Sequence, residues 1–141
     1  MLWIHPLLQA ICMVLATWVL FMGLQRFRAQ HLGIKVLFPW KRHVFWGKVV
    51  HAIWLLGFGL GLFMGWYSWG SINLTGGHFL VGVSMVPMIL LSLITGLMLQ
   101  KPKGRRASLA LFHGTVNAVL FAMALYQAFS AVAVIELFLL P

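Results

Sequence analysis

Four histidines, His5, His51, His78 and His113, each lie near the start of a different long apolar segment. An ionisable side chain inside a membrane span is costly enough to mark a functional site by default, and imidazole is the commonest metal ligand. What such histidines can hold depends on how many meet. A pair of opposed neutral imidazoles without carboxylate or thiolate is a poor zinc or calcium site, because zinc takes four ligands and calcium takes oxygens. Haem iron needs only two axial ligands, and two imidazoles leave no open position for oxygen, which suits electron transfer. The chain has one cysteine and no Cys-x-x-Cys-His, so covalent attachment is excluded and two bis-histidine haems b are the expected cofactors.

The elements that must position these side chains follow from composition. Of 141 residues, 62% are hydrophobic and 8% charged, with a mean hydropathy of +0.99, outside the range of soluble globular domains. Spans of roughly 20 apolar residues cross a hydrocarbon core of about 30 Å. Four are expected, at about 4–24, 44–68, 78–99 and 107–130, followed by an apolar tail from Ala131 to Pro141. The expected fold is all-α, a single domain over 1–141 built as an integral membrane four-helix up-down-up-down bundle. No basic region precedes the first stretch, so it is expected to be retained as a helix rather than cleaved as a secretory signal.

Charge sets the expected orientation. Arg26, Arg28, Lys35, Lys41 and Arg42 fall in the first connection, Lys48 just inside the second span, and Lys101, Lys103, Arg105 and Arg106 in the third connection. The middle loop Gly70–Gly77 and both termini have none. The positive-inside rule then puts the basic loops in the cytoplasm and both termini outside. With alternating helix direction, His5 and His78 lie near the outer face, while His51 and His113 lie roughly 7–10 Å in from the inner face at 1.5 Å per residue. First and third helices face each other across a bundle diagonal, as do second and fourth, so each level offers one imidazole on either side of a central gap.

A planar cofactor also needs space. At about 100° per residue, Ala16 and Gly23 share the face of His5, and Ser92 and Gly96 lie within about 40° of His78, all at the depth of the inner pair. Gly61 and Gly65, roughly 80° and 40° from the His51 direction, rise to the outer pair. Ordinary small-residue packing would also use Gly57, Gly61 and Gly65. His31 and His43 fall in the basic connection and read as solvated, with His43 too shallow by one to two turns to replace His51. Cys12 reads as a small core residue. Trp66, Tyr67, Trp69, Trp40 and Trp46 read as interfacial anchors, and 33–40 as a segment lying on the inner surface. The net charge of +9 does not imply nucleic-acid binding, because no aqueous domain carries it. The letters show no obvious internal repeat, although an outer then an inner histidine occurs twice.

At these histidines the chain resembles the cytochrome b561 family. His5-Pro6-Leu7-Leu8-Gln9 resembles that family's His-Pro-x-x-Met helix start, with Gln9 in place of methionine. Gly47-Lys48-Val49-Val50-His51-Ala52 is similar to its Lys-x-x-His helix, Gly77-His78-Phe79-Leu80-Val81-Gly82 to the next, and Leu111-Phe112-His113-Gly114 to the last. The resemblance implies a transmembrane electron carrier with one haem on His5 and His78 and the other on His51 and His113. It covers about 4–130, and the flanking helices of six-helix members that use ascorbate are missing, so that specificity does not carry over. Lys48 matches a family lysine near the inner substrate site, though a lysine one turn from a membrane surface also serves as a snorkelling anchor. The short form looks bacterial, which implies the inner membrane.

Three functions stand at this stage: electron transfer between redox partners on the two sides, a quinone-reactive anchor subunit of a larger redox complex, and a structural subunit whose histidines are polar glue. For the second, Gln127, Asn117 or Glu136 would handle protons or quinone oxygens; Glu136, the single acid, reads as solvated near the outer end. No nucleophile–base pair, phosphate-binding loop or carboxylate pair points to other catalysis. Accessibility labelling or reporter fusions at Gly104 are expected to report the cytoplasm and at Asn73 the outer side; the reverse pattern would invert the orientation.

Overall fold

The computed structural model describes residues 2–101 and 106–140. Lys103, Gly104, Arg105 and Pro141 of the expectations above lie outside the described residues. Four helices form: α1 (Ile4–His31), α2 (Trp40–Trp69), α3 (Gly77–Gln100) and α4 (Ala107–Phe138). Each is long and apolar enough to cross a membrane. The helices overrun the expected spans: α1 continues to His31, α2 starts four residues early at Trp40, and α4 takes in most of the tail as far as Phe138. Hydropathy follows the oily middle of a helix, whereas 30 residues make about 45 Å at 1.5 Å each, longer than the hydrocarbon core.

Local sequence sets the ends. Pro6 sits in the first turn of α1, where its missing N–H has no helical partner to lose. The chain leaves α1 at Gly33 (φ +65°), with the N–H groups of Leu32 and Ile34 both on the Arg28 carbonyl. The segment 32–39 has no regular structure, and Phe38 from it lies under the Arg26 guanidinium and beside the His43 ring. Gly70 (φ +70°) ends α2, its N–H donating to Trp66. Pro87 lies inside α3 without ending it. The Arg106 guanidinium donates to the Met98 carbonyl at 2.6 Å and ties the start of α4 to the end of α3.

The bundle closes as a ring in chain order. α1 packs on α2 and α3 on α4, and the contacts α1–α4 and α2–α3 complete it; the described backbones of the diagonal pairs do not approach closely. The core is a middle layer of Cys12, Ala16, Val50, Trp54, Met85, Ile89, Leu120 and Ala124. Cys12 is fully buried, as expected. Trp40, Trp66, Tyr67 and Trp69 are exposed, Trp40 and Trp69 at cavity edges. Above and below the middle layer the helices part into two cavities. One lies between the starts of α1 and α3 and the ends of α2 and α4, the other between the opposite ends.

Gly65 shows how tightly the loop Gly70–Gly76 is set on the first cavity, since a Cβ there would stand 2.9 Å from the Ser71 carbonyl oxygen. Gly59, on the same helix, faces open space. Thermal unfolding in detergent should therefore show Gly65→Ala destabilised by about 1–3 kcal/mol through overpacking. Gly59→Ala should be neutral or stabilised by up to about 1 kcal/mol through helix propensity. Equal effects would contradict the loop's placement.

Candidate haem-binding site

The cavity beside the Gly70–Gly76 loop has a volume of about 320 Å³ and is lined by His5, His78, Gln9, Gly61, Thr75 and Gln127 among others. His5, half-buried in the first turn of α1, donates from Nδ1 to the Gly57 carbonyl of α2 at 2.8 Å. Its Cε1 rests 3.2 Å from where a Cβ on Gly61 would stand. Gln9, one turn on, fills the space over Gly57. On the far side His78 Nδ1 meets Ser130 Oγ at 2.9 Å. Ser130 donates its one proton to the Gln127 carbonyl at 3.2 Å, so its oxygen is left to accept from His78. Gln127 donates from Nε2 to the His78 carbonyl at 2.9 Å, while its buried Oε1 has no partner.

The cavity at the basic end is larger, about 510 Å³, and holds His43, His51, His113, Ser92 and Asn117, with Arg26 and Lys48 also on its wall. His113 Nδ1 lies 2.9 Å from Thr95 Oγ1. Thr95 gives its own proton to the Leu91 or Ser92 carbonyl, at 2.8 and 3.0 Å, and so accepts from His113. Asn117 donates to the His113 carbonyl at 2.8 Å and sets its amide 3.4 Å from both nitrogens of that ring. His51 is buried; its Nδ1 donates to Gly47 one turn back at 2.6 Å and its Nε2 accepts from the Ser92 hydroxyl at 2.8 Å. Asn117 Oδ1 lies 2.9 Å from the same hydroxyl, so one proton faces two acceptors.

The structure thus gathers His5 and His78 in one cavity and His51 and His113 in the other. Ala16, Gly23, Ser92 and Gly96 line the second, and Gly61 and Gly65 the first, as their helical phase requires. Trp54, buried in the middle layer, is a wall of both. His31 is exposed at the end of α1, its ring tilted against Phe27 at the edge of the basic-end cavity. His43 departs from expectation. It lies in the first turn of α2, half-buried, with Nδ1 donating to the Val19 carbonyl at 3.2 Å, and it lines the cavity instead of facing water. Lys41 and Arg42 broke the apolar run ahead of it and hid the start of the helix. Glu136 is exposed.

Thr95 and Ser130 were not legible in the sequence, because each acts on a histidine of the neighbouring helix. Among the described residues no three histidine, cysteine or acidic side chains converge on one point. What the cavities offer is paired imidazoles on apolar walls, with glycines whose Cβ atoms would crowd the rings and an amide oxygen left unpartnered; this donor set fits a planar group held by two axial nitrogens. Comparison with known protein families, with characterised proteins and with solved structures returns no match.

Ser92→Ala would remove the one hydroxyl proton that buried His51 and Asn117 share, and unfolding should show a loss of about 1–3 kcal/mol. Ser84, exposed and bonded only to carbonyls of its own helix, provides the control. Its alanine variant should stay within about 0.5 kcal/mol of the parent.

Proposed function

We propose that this chain is a di-haem b electron carrier of the cytochrome b561 type, passing electrons across the membrane between redox partners. The supporting observation is the state of the imidazoles. His5, His78, His51 and His113 each turn Nδ1 to an acceptor, either a backbone carbonyl or a hydroxyl whose proton is already given away. A neutral imidazole that donates from Nδ1 keeps its lone pair on Nε2, and a hydrogen bond at the other nitrogen is what orients a metal-ligating histidine. Polar glue alone does not call for that uniformity.

On this reading His5 and His78 hold one haem. His113 holds the other with a histidine of α2, for which the sequence favours His51. Each haem, when bound, supplies reversible one-electron chemistry. The chain's own residues orient the ligands through Gly57, Ser130 and Thr95, exclude water with the apolar cavity walls, and separate the two sites by the Trp54 layer. The basic end faces the cytoplasm by the positive-inside rule, with a bacterial inner membrane as the setting. A second reading, a quinone-reactive subunit of a larger complex, has one observation in its favour: the unpartnered Gln127 Oε1 at the first cavity could accept a hydrogen bond from a quinol.

Purified protein should contain about two haems per chain, extractable with acidified acetone, with a b-type α band on reduction. Covalently retained haem, or none, would reject the proposal. Anaerobic quinol that reduces the wild type but not Gln127→Leu would favour the second reading.

A further inference from the structure

The helices share a spacing that connects the two hairpins. Gly23 follows His5, Gly61 follows His43, Gly96 follows His78 and Ala131 follows His113, each by 18 residues. Eighteen residues make five turns and about 27 Å of rise, so each helix has an imidazole near one end and a small residue on the same face near the other. The pairing in space is reciprocal within a hairpin. His5 rests on Gly61, His43 on Gly23 and His113 on Gly96, each with Cε1 3.2 Å from the absent Cβ, and Ala131 lines the cavity of His78. His51 stands outside the pattern, since the residue 18 further on is Trp69.

Anchoring follows the same rule. His5 and His43 bond across to each other's helices through Gly57 and Val19, and His78 and His113 do so through Ser130 and Thr95. His51 instead bonds within its own helix, and its Nε2 is taken by Ser92. The Nδ1 atoms of His43 and His113 are held by α1 and α3, helices diagonal in the bundle, and the Nε2 of His113 lies 3.4 Å from the Asn117 amide, longer than the 2.8 Å between His51 Nε2 and Ser92.

The separation of the rings agrees. Metal–imidazole bonds are about 2.0–2.1 Å and the ring centre lies about 1.1 Å further, so two rings on opposite sides of one ion have centres roughly 6.3 Å apart. The centres of His43 and His113 are 6.4 Å apart, with planes at 81°. Near-perpendicular planes are compatible with axial binding, because each ring is free to turn about its single bond to the metal.

Resting on the di-haem reading, we propose that His43, rather than His51, is the partner of His113 in the second haem site. His51 ties α2 to α3 through Ser92. The bundle is then a twofold repeat of one hairpin, with His5 and His43 in the first copy and His78 and His113 in the second.

The test reads haem per chain, optical spectrum and low-spin electron paramagnetic resonance of the full purified chain, first as wild type and then as His43→Gly, His51→Gly and His113→Ala. His43→Gly and His113→Ala should lose or turn high-spin the same component, leaving about one low-spin haem per chain. Free imidazole should restore that component in His43→Gly, and His51→Gly should keep both haems low-spin. Loss of that component in His51→Gly while His43→Gly keeps it, or imidazole rescue of His51→Gly alone, overturns the assignment. Where His43→Gly does not accumulate, His43→Met decides: altered low-spin g values support His43 and an unchanged spectrum overturns it. A wild-type chain without haem rejects the di-haem reading itself, and that result precedes any variant.

Discussion

The constraint on which the rest depends is that every polar group inside an apolar bundle must find its partner within the bundle. Six imidazoles line the cavities, and five of them have a fixed acceptor for Nδ1. Reaching a neighbouring helix's carbonyl or hydroxyl requires the ring to lie flat against that helix, which a side chain there would prevent. Glycine at 23, 61 and 96 removes the obstruction. The same arrangement fixes the tautomer and the direction in which the second nitrogen faces.

A consequence is the division of the bundle into levels. The glycines that receive rings, Gly23, Gly61 and Gly96, lie toward the ends, whereas the middle layer mixes Cys12, Ala16 and Ala124 with larger side chains. Trp54, Met85, Ile89 and Leu120 close the space between the cavities and, with Cys12 and Ala16 of α1, pack the four helices against one another. Helix association in lipid has no strong apolar driving force of its own, so close packing of this layer and hydrogen bonds across the ends must share the work. The His51–Ser92–Asn117 contacts supply that bond between α2, α3 and α4 at one level, and Gln127 to the His78 carbonyl supplies it at another.

Much of this was legible in the sequence because membrane burial writes itself in long apolar runs. The four helices, their order, the grouping of His5 with His78 and of His51 with His113, and the cavity-facing small residues follow from hydropathy and a 3.6-residue period. The misread helix boundaries at the basic end share one cause. Hydropathy stops where charge begins, but the helix does not; Lys41 and Arg42 place their charges beyond the hydrocarbon while the backbone beneath them is already helical. His43 was therefore read as a loop residue, and its relation to Gly61 was lost with it. Thr95 and Ser130 were illegible for another reason, since a hydroxyl that serves a different helix leaves no trace in the spacing of its own.

The two ends also differ in charge, and that bears on the direction of flow in a di-haem carrier. Arg26 and Lys48 are on the wall of the basic-end cavity, with no acidic side chain on that wall to offset them. Among the described residues the wall of the other cavity carries no Lys, Arg, Asp or Glu, and the Gly70–Gly76 loop forms part of it. Fixed positive charge stabilises an added electron and a low-dielectric wall does not, so on the di-haem proposal the basic end would be the easier to reduce if the ligands are alike. Salt weakens that preference to the degree that the mouth is open to water, because exposed charges are screened within about 8–10 Å at physiological ionic strength. On the di-haem proposal, similar ligands in a repeated hairpin and dissimilar charge around them would give two sites of one kind with a gradient between them.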